Sequence, residues 1–349
     1  MLSKKIVIIT VEQSYRAICI DENFKRAGYD VTTICLEDYS MEKIPSFQYL
    51  PPKQGVKYEK VLADFYKNSI GLLNQIMPRF VYTFLPHEDL AEMANKWCKK
   101  NDAYSLVDVN EVETSVKLSG SSALKGSDLI IVPVEAYKTK LKSKELGKTV
   151  SMPYFNEIPR FPIHDVSAND KNEIPCGIIL NENININELI AILKQVNATK
   201  KVKLAVVGNC SAKEYLFNEL YKAQIEVKDY GEVDDENALD IIVSKWYFAF
   251  NILNSDVLGL NKEAIIYLRH GLALINNVRG DLEEWIRKSF AGFNTFEMNL
   301  NQLGDKIVRT MTIQINSMKH NAGRVYIDNL SKQNCTKSVD YIVNLFRGK

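Results

Sequence analysis

The sequence predicts an α/β protein of two doubly wound lobes facing a cleft. Three observations carry that prediction. Short continuous aliphatic runs alternate with stretches of helical periodicity, the alternation restarts after a polar, proline-bearing segment in mid-chain, and 349 residues exceed what one typical core organises. Residues 5–10 are a β-branched run that reads as a buried strand. Residues 12–26 carry Ala17, Ile20 and Phe24 on one helical face, Gly28 closes the helix, and 31–36 is the next strand, which completes a β-α-β unit. Residues 56–77 read as an amphipathic helix through Val61, Leu62, Phe65, Ile70 and Leu73, packed on a core or laid on a membrane. Strands at 80–84 and 105–109 flank a helix over 89–100, and 129–134 is a further apolar run.

From 156 to 175 the text changes to NEIPRFPIHDVSANDKNEIP, with Pro159, Pro162 and Pro175. It divides the chain into a lobe over 1–158, a linker over 159–175 and a second lobe over 176–330. In the second lobe, strands are expected at 176–180, 202–207, 225–229, 247–252 and 272–276. Helices fall over 188–196 and after Ser211, where Glu214 completes a capping box. The tail from Leu300 is helical in pattern. Its last part, 331–349, places Val339, Ile342, Val343 and Phe346 on one stripe that packs back on the body.

Lysine plus arginine (44) balances aspartate plus glutamate (43), which argues against a diffuse nucleic-acid surface. The six cysteines form no C-x-x-C pair and several sit in apolar runs, as free thiols of a cytoplasmic protein do. MLSKKIVIIT reads as a strand and not as a signal peptide, and no segment approaches the roughly 18 apolar residues of a membrane span. G-x-G-x-x-G, the P-loop and G-x-S-x-G are all absent, which removes the usual support for dinucleotide, NTPase and serine-hydrolase chemistry. His87, His164, His270 and His320 lie apart from one another and from cysteine, so no metal is expected.

The run NKEAIIYLRHGLALINNVRGDLEEW, 261–285, reads as helix, glycine break, buried strand, second glycine break, second helix. Asn261 suits an N-cap, and Asp281 reads as the next cap, with Glu284 placed for a capping box. Lysine is disfavoured in a first turn, so Lys262 either neutralises an anion such as a diphosphate or pairs with a neighbouring carboxylate.

On these residues the chain resembles the GT-B superfamily of nucleotide-sugar-dependent glycosyltransferases, most nearly the GT4-like bacterial enzymes of surface polysaccharide and glycoprotein assembly. The pieces that carry the resemblance are ALKGSDLIIVP, KTVSMPYFNEIP, VYTFLPHEDLAEMANKW, LAVVG ending at Gly208, YGEV around Gly231 and YLRHGLALINN through Asn277. It implies two Rossmann-like lobes, with the donor against the second and the acceptor against the first. The function it implies is transfer of a sugar from a nucleoside diphosphate sugar such as a UDP-sugar, with retention of configuration, to a saccharide, lipid-linked or protein acceptor. No metal or other cofactor is implied. The family's paired glutamates, separated by seven intervening residues and ending ahead of Tyr267, are replaced by Leu258 and Ile266. A non-catalytic subunit that partners another glycosyltransferase is therefore the alternative.

The resemblance places Lys262 at the leaving diphosphate, with Gly208, Asn209, Glu263, Arg279, Gly280 and Asp281 around the nucleotide-sugar. In the first lobe, Gln13, Ser14 and Glu111 are candidates for the acceptor, and His87 and Asp108 for catalytic contacts, because all follow strands of a wound sheet. Lys138, Lys140, Lys142, Lys144 and Lys148 form a cationic stretch, which suits either a solvated helix face or an anionic membrane at the inner face of the cell envelope. Oligomerisation is left open.

Overall fold

The computed structural model describes residues 4–37, 43–52, 55–109, 121–152, 173–254 and 257–346. The chain divides into two units, Met1–Glu157 with Ser331–Lys349, and Ile158–Leu330. Each is built on a parallel sheet whose central strands are buried on both faces, as continuous aliphatic runs require.

The first unit contains β1 (Lys5–Thr10), α1 (Tyr15–Arg26), β2 (Asp30–Leu36), β3 (Phe47–Leu50), α2 (Tyr58–Ile76) and β4 (Phe80–Phe84). It continues through α3 (Glu88–Lys100), β5 (Tyr104–Asp108), α4 (Ser122–Gly126), β6 (Leu129–Val132), α5 (Ser143–Leu146) and β7 (Thr149–Ser151). Strand order is β3-β2-β1-β4-β5-β6-β7. Alternation along the strands sends Ile6, Ile8, Tyr82, Leu106 and Ile131 to the face that packs on α1, and Val7, Ile9, Ile34 and Val81 to the face under α2 and α3. Phe65 and Leu73 of α2 lie in that second core, so the amphipathic stretch is a core helix.

The second unit contains β8 (Glu173–Leu180), α6 (Ile186–Asn197), β9 (Lys201–Gly208), α7 (Lys213–Lys222), β10 (Glu226–Asp229), α8 (Glu236–Val243) and β11 (Phe248–Asn251). It closes with α9 (Lys262–Arg269), β12 (Ala273–Asn276), α10 (Asp281–Ser289), β13 (Gly292–Asn294), α11 (Leu300–Arg309) and α12 (Thr312–Leu330). Strand order is β10-β9-β8-β11-β12-β13. Gly177 in β8 has a packing reason. A Cβ there would lie 1.8 Å from the ring of Trp246, a fully buried side chain whose own carbonyl accepts from Lys319 Nζ at 3.2 Å.

The last helix, α13 (Lys332–Leu345), belongs to the first unit. Cys335, Val339, Ile342, Val343 and Phe346 complete the core beneath α1. Arg79 Nη2 donates to the Phe346 carbonyl at 3.0 Å, and the Phe346 ring sits 5.2 Å from Phe80 and 4.6 Å from Tyr104.

The structure corrects several local expectations. Residues 173–175 of the expected linker already form the start of β8, and the rest of that linker lies outside the described residues. The helix after Ser211 opens at Ala212, while Ser211 donates its hydroxyl to Glu182 Oε2 at 2.6 Å instead of capping. No described helix is long and apolar enough to cross a membrane.

Gly177→Ala should destabilise the second unit by about 1–3 kcal/mol, because Trp246 must shift to admit one methyl group. Urea unfolding of the variant checks this.

Candidate functional site at the carboxyl edge of the second sheet

Strands β11, β12 and β13 end in asparagine. The register sets Asn251 beside Asn276 and Asn276 beside Asn294, so three amides lie side by side at the carboxyl edge. All are buried, at 1%, 0% and 1% exposure, and buried amides must satisfy both ends. They satisfy one another. Asn251 Nδ2 donates to Asn276 Oδ1 at 2.9 Å, and Asn276 Nδ2 donates to Asn294 Oδ1 at 3.0 Å. Asn294 Nδ2 donates in turn to the Glu283 carbonyl and to Glu297 Oε1.

Asn261 extends the row. It occupies the N-cap of α9, but its side chain makes no capping bond. It exchanges two hydrogen bonds with Asn251, at 2.8 and 3.0 Å, and donates to Glu263 Oε2 at 2.9 Å. The capping expectation is thus corrected, for a physical reason: the amide is committed to the sheet, so it leaves the first N–H groups of α9 without a side-chain acceptor. Glu263 is nearly buried and held in that row. Lys262 is exposed, and no hydrogen bond or ion pair engages it among the described residues.

The second helix opening lies alongside. Gly280, not Asp281, is the N-cap of α10, at φ 101°, and its N–H donates to Glu283 Oε2 at 3.2 Å. Glu283 therefore takes the place expected for Glu284, which pairs with Lys288. Asp281 is the first residue of α10, and Leu282 N donates to the Gly259 carbonyl, tying the two openings together. Arg279 is occupied: it pairs with Glu283 Oε1 at 3.3 Å and lies over the Phe296 ring. Gly208 ends β9 at φ 86°, its N–H donating to the Gly231 carbonyl, and Asn209 Oδ1 accepts from Cys210 N.

In the first unit the strand-end residues are mostly committed. Asp108 is fully buried. Its two oxygens accept from Arg16 Nε at 2.8 Å, Arg16 Nη2 at 3.0 Å and Tyr82 Oη at 2.5 Å. The carboxylate expected at a catalytic contact is instead fully buried and held by a guanidinium and a phenol. Burial, then Asp108, pushes the Tyr82 phenol well above its ordinary pKa. Ser14 caps α1 by accepting from Ala17 N, and Gln13 Oε1 accepts from Tyr49 Oη at 2.6 Å. His87 precedes α3 and meets Tyr66. Glu111 lies outside the described residues.

The lysine stretch breaks up as well. Lys148 Nζ donates to the carbonyls of Leu124, Lys125 and Ser127, which end α4, and its burial lowers its pKa. Lys138 pairs with Glu135 at 2.8 Å, Lys140 lies over Tyr137, and Lys142 and Lys144 remain exposed. A continuous cationic face does not form.

No family model and no curated protein matches the sequence, so likeness is structural. The chain superposes over 98% of its length on the whole of Anabaena HepE in complex with UDP, with a TM-score of 0.68 at 11% identity. It covers 98% of a glycosyltransferase from Rickettsia africae over 98% of its own length (TM-score 0.67, 14% identity). For the lipopolysaccharide outer core galactosyltransferase WaaB the figures are 99% and 96%, at a TM-score of 0.68 and 14% identity. The chain has the GT-B fold.

Within this GT-B fold, the two positions matched to the family's glutamates can be located. Leu258 forms a β-bridge with Arg279 and Ile266 lies half-buried on α9, so the one carboxylate on that helix is Glu263. The asparagine row is what sequence reading missed. Asn276 at the end of its apolar run was a visible signal, but β13 was not expected and only the register shows that the three amides touch. Among the described residues no group of three or more His, Cys, Asp or Glu is placed to hold a metal ion.

Asn276→Ala should cost about 1–3 kcal/mol for each buried partner left unmade, whereas Lys262→Ala should shift stability by less than about 0.5 kcal/mol. Equilibrium unfolding compares them directly. Asp108→Ala, which leaves the Arg16 charge buried and unpaired, should cost about 3–5 kcal/mol in the same assay.

Proposed function

We propose that the chain is a glycosyltransferase that takes a sugar from a nucleoside diphosphate sugar, with the diphosphate held at the opening of α9. The observation that carries this reading is the pairing of an N-cap whose side chain is withdrawn into the asparagine row with Lys262, exposed and unengaged among the described residues. Uncapped N–H groups, the positive end of a helix and a lysine together suit an anion, and they lie at the carboxyl edge of a parallel sheet, where wound folds bind ligands. HepE, of the same fold, was crystallised with UDP and with UDP-glucose, which supports UDP as the nucleotide.

In this mechanism negative charge grows on the diphosphate as the glycosidic bond breaks. Lys262 and the N–H groups of α9 stabilise that charge, and a site formed in advance does so without reorganising. Gly280 and Asp281 at the α10 opening border the same edge, while Glu263, fixed by Asn261, supplies a carboxylate for ribose hydroxyls. We assign the acceptor, a saccharide free or linked to lipid or protein, to the first unit. Retention of configuration fits a first unit in which Asp108 is unavailable as a base. Leu258 and Ile266 favour a second reading, a subunit that binds the nucleotide without turnover.

Isothermal calorimetry should show UDP binding to the wild type, and Lys262→Ala should weaken it about ten- to a hundredfold, the value of one hydrogen bond to a charged group. No heat from any of UDP, GDP, dTDP and ADP would exclude the donor site. Release of free sugar from UDP-glucose or UDP-galactose would separate the enzyme from the inert subunit.

A further inference from the structure

Tyr66, on α2, places its Oη 3.0 Å from Nδ1 of His87, the residue that opens α3. Tyr66 is 7% exposed, and the two rings meet edge to face at 6.2 Å. A phenol has one proton to donate, and a buried donor without an acceptor costs about 1–3 kcal/mol. Among the described residues His87 is the one hydrogen-bond partner of the Tyr66 hydroxyl. With the phenol donating to its one described partner, Nδ1 accepts. A neutral imidazole that accepts at Nδ1 carries its own proton on Nε2. That nitrogen has no partner among the described residues, and His87 is half-buried at the carboxyl end of β4, so the Nε2–H remains available to a ligand.

We infer that Tyr66 is a positioning residue that locks His87 as a hydrogen-bond donor through Nε2–H, directed at an oxygen of a carbohydrate hydroxyl and unable to serve as a general base. The identity of that oxygen rests on the glycosyltransferase reading above; the lock does not. The charges around the pair agree with it. Burial lowers the His87 pKa more than the carboxylate of Glu12 raises it, so the ring is neutral at physiological pH. Burial first, then Asp89 and Tyr58, pushes the Tyr66 phenol up to about 12, so it keeps the proton it donates. Protonating Nδ1 would turn the phenol into the acceptor and leave its own proton without an acceptor among the described residues. His87 thereby acts in recognition and not as a base, which matches a transfer with retention, where the acceptor hydroxyl needs no base from the protein.

Long-range 1H–15N spectra of the histidine-labelled full chain test the lock without any ligand, with the His87 signals assigned by their loss in His87→Gln. At neutral pH the wild type should show His87 as Nε2–H alone. Tyr66→Phe, which removes one oxygen and keeps the ring, should admit a measurable Nδ1–H population while the other three histidines stay unchanged. A wild-type Nδ1–H ring, or a tautomer ratio indifferent to Tyr66→Phe, would overturn the inference. Calorimetry with UDP on the same samples keeps the two ideas apart, because absent nucleotide binding would remove the glycosyltransferase reading and leave the tautomer result standing.

Discussion

Four buried amides organise the second lobe at the edge where its ligand is proposed to bind. Asparagine is the side chain that can do this. It carries a donor and an acceptor on one short arm, so neighbours in register hand hydrogen bonds along a row without net charge. Asn251, Asn276 and Asn294 span three strands, and Asn261 carries the row out of the sheet to the start of α9. Each amide is nearly inaccessible to water, so the row is stable only when complete; one missing member strands its neighbours. That cooperativity fixes the height and tilt of the α9 opening relative to β11 and β12. It also explains an uncapped helix start, since the residue best suited to cap it is held elsewhere.

The first lobe treats the same topological position differently. There the ends of β4 and β5 are closed by a buried ionic group in which Arg16 of α1 and Tyr82 of β4 saturate Asp108. Arg16 also donates to the Met152 carbonyl just beyond β7, so one guanidinium joins α1, β5 and the end of β7. Its planar fork suits three directed bonds, which lysine cannot make. His87, half-buried beyond the end of β4, meets Tyr66 through its Nδ1. Strand ends in a wound sheet therefore divide between those that hold the scaffold and those that face a ligand, and hydrogen-bond saturation distinguishes them.

Much of the scaffold was legible because its strands are fully buried. Runs such as KIVIIT and FVYTF have no competing reading, and their alternation with helices dictates a parallel sheet. Three strands, β3, β7 and β13, escaped because three or four residues are too few to show a period. The stripe on α13 was visible, but nothing in it says that its partner is Phe80 and Tyr104, more than two hundred residues earlier. The site was less legible, for the same reason. Asp108 looked like a ligand because it ends a strand, and its partner Arg16 lies 92 residues away. Asn261 looked like a cap because local sequence contains the α9 N–H groups and not Asn251 across the sheet edge. Lys148 looked like part of a basic face because spacing does not reveal three carbonyls converging on its ammonium.

The central claim is that the asparagine row presents the opening of α9, with Lys262, to a nucleotide diphosphate. A crystal structure of the chain with UDP tests it most directly. The diphosphate should lie against the first N–H groups of α9 and within hydrogen-bond reach of Lys262, with Asn251, Asn261, Asn276 and Asn294 still joined as a row. Diphosphate bound away from α9, or Asn261 swung out of the row to cap the helix, would contradict it.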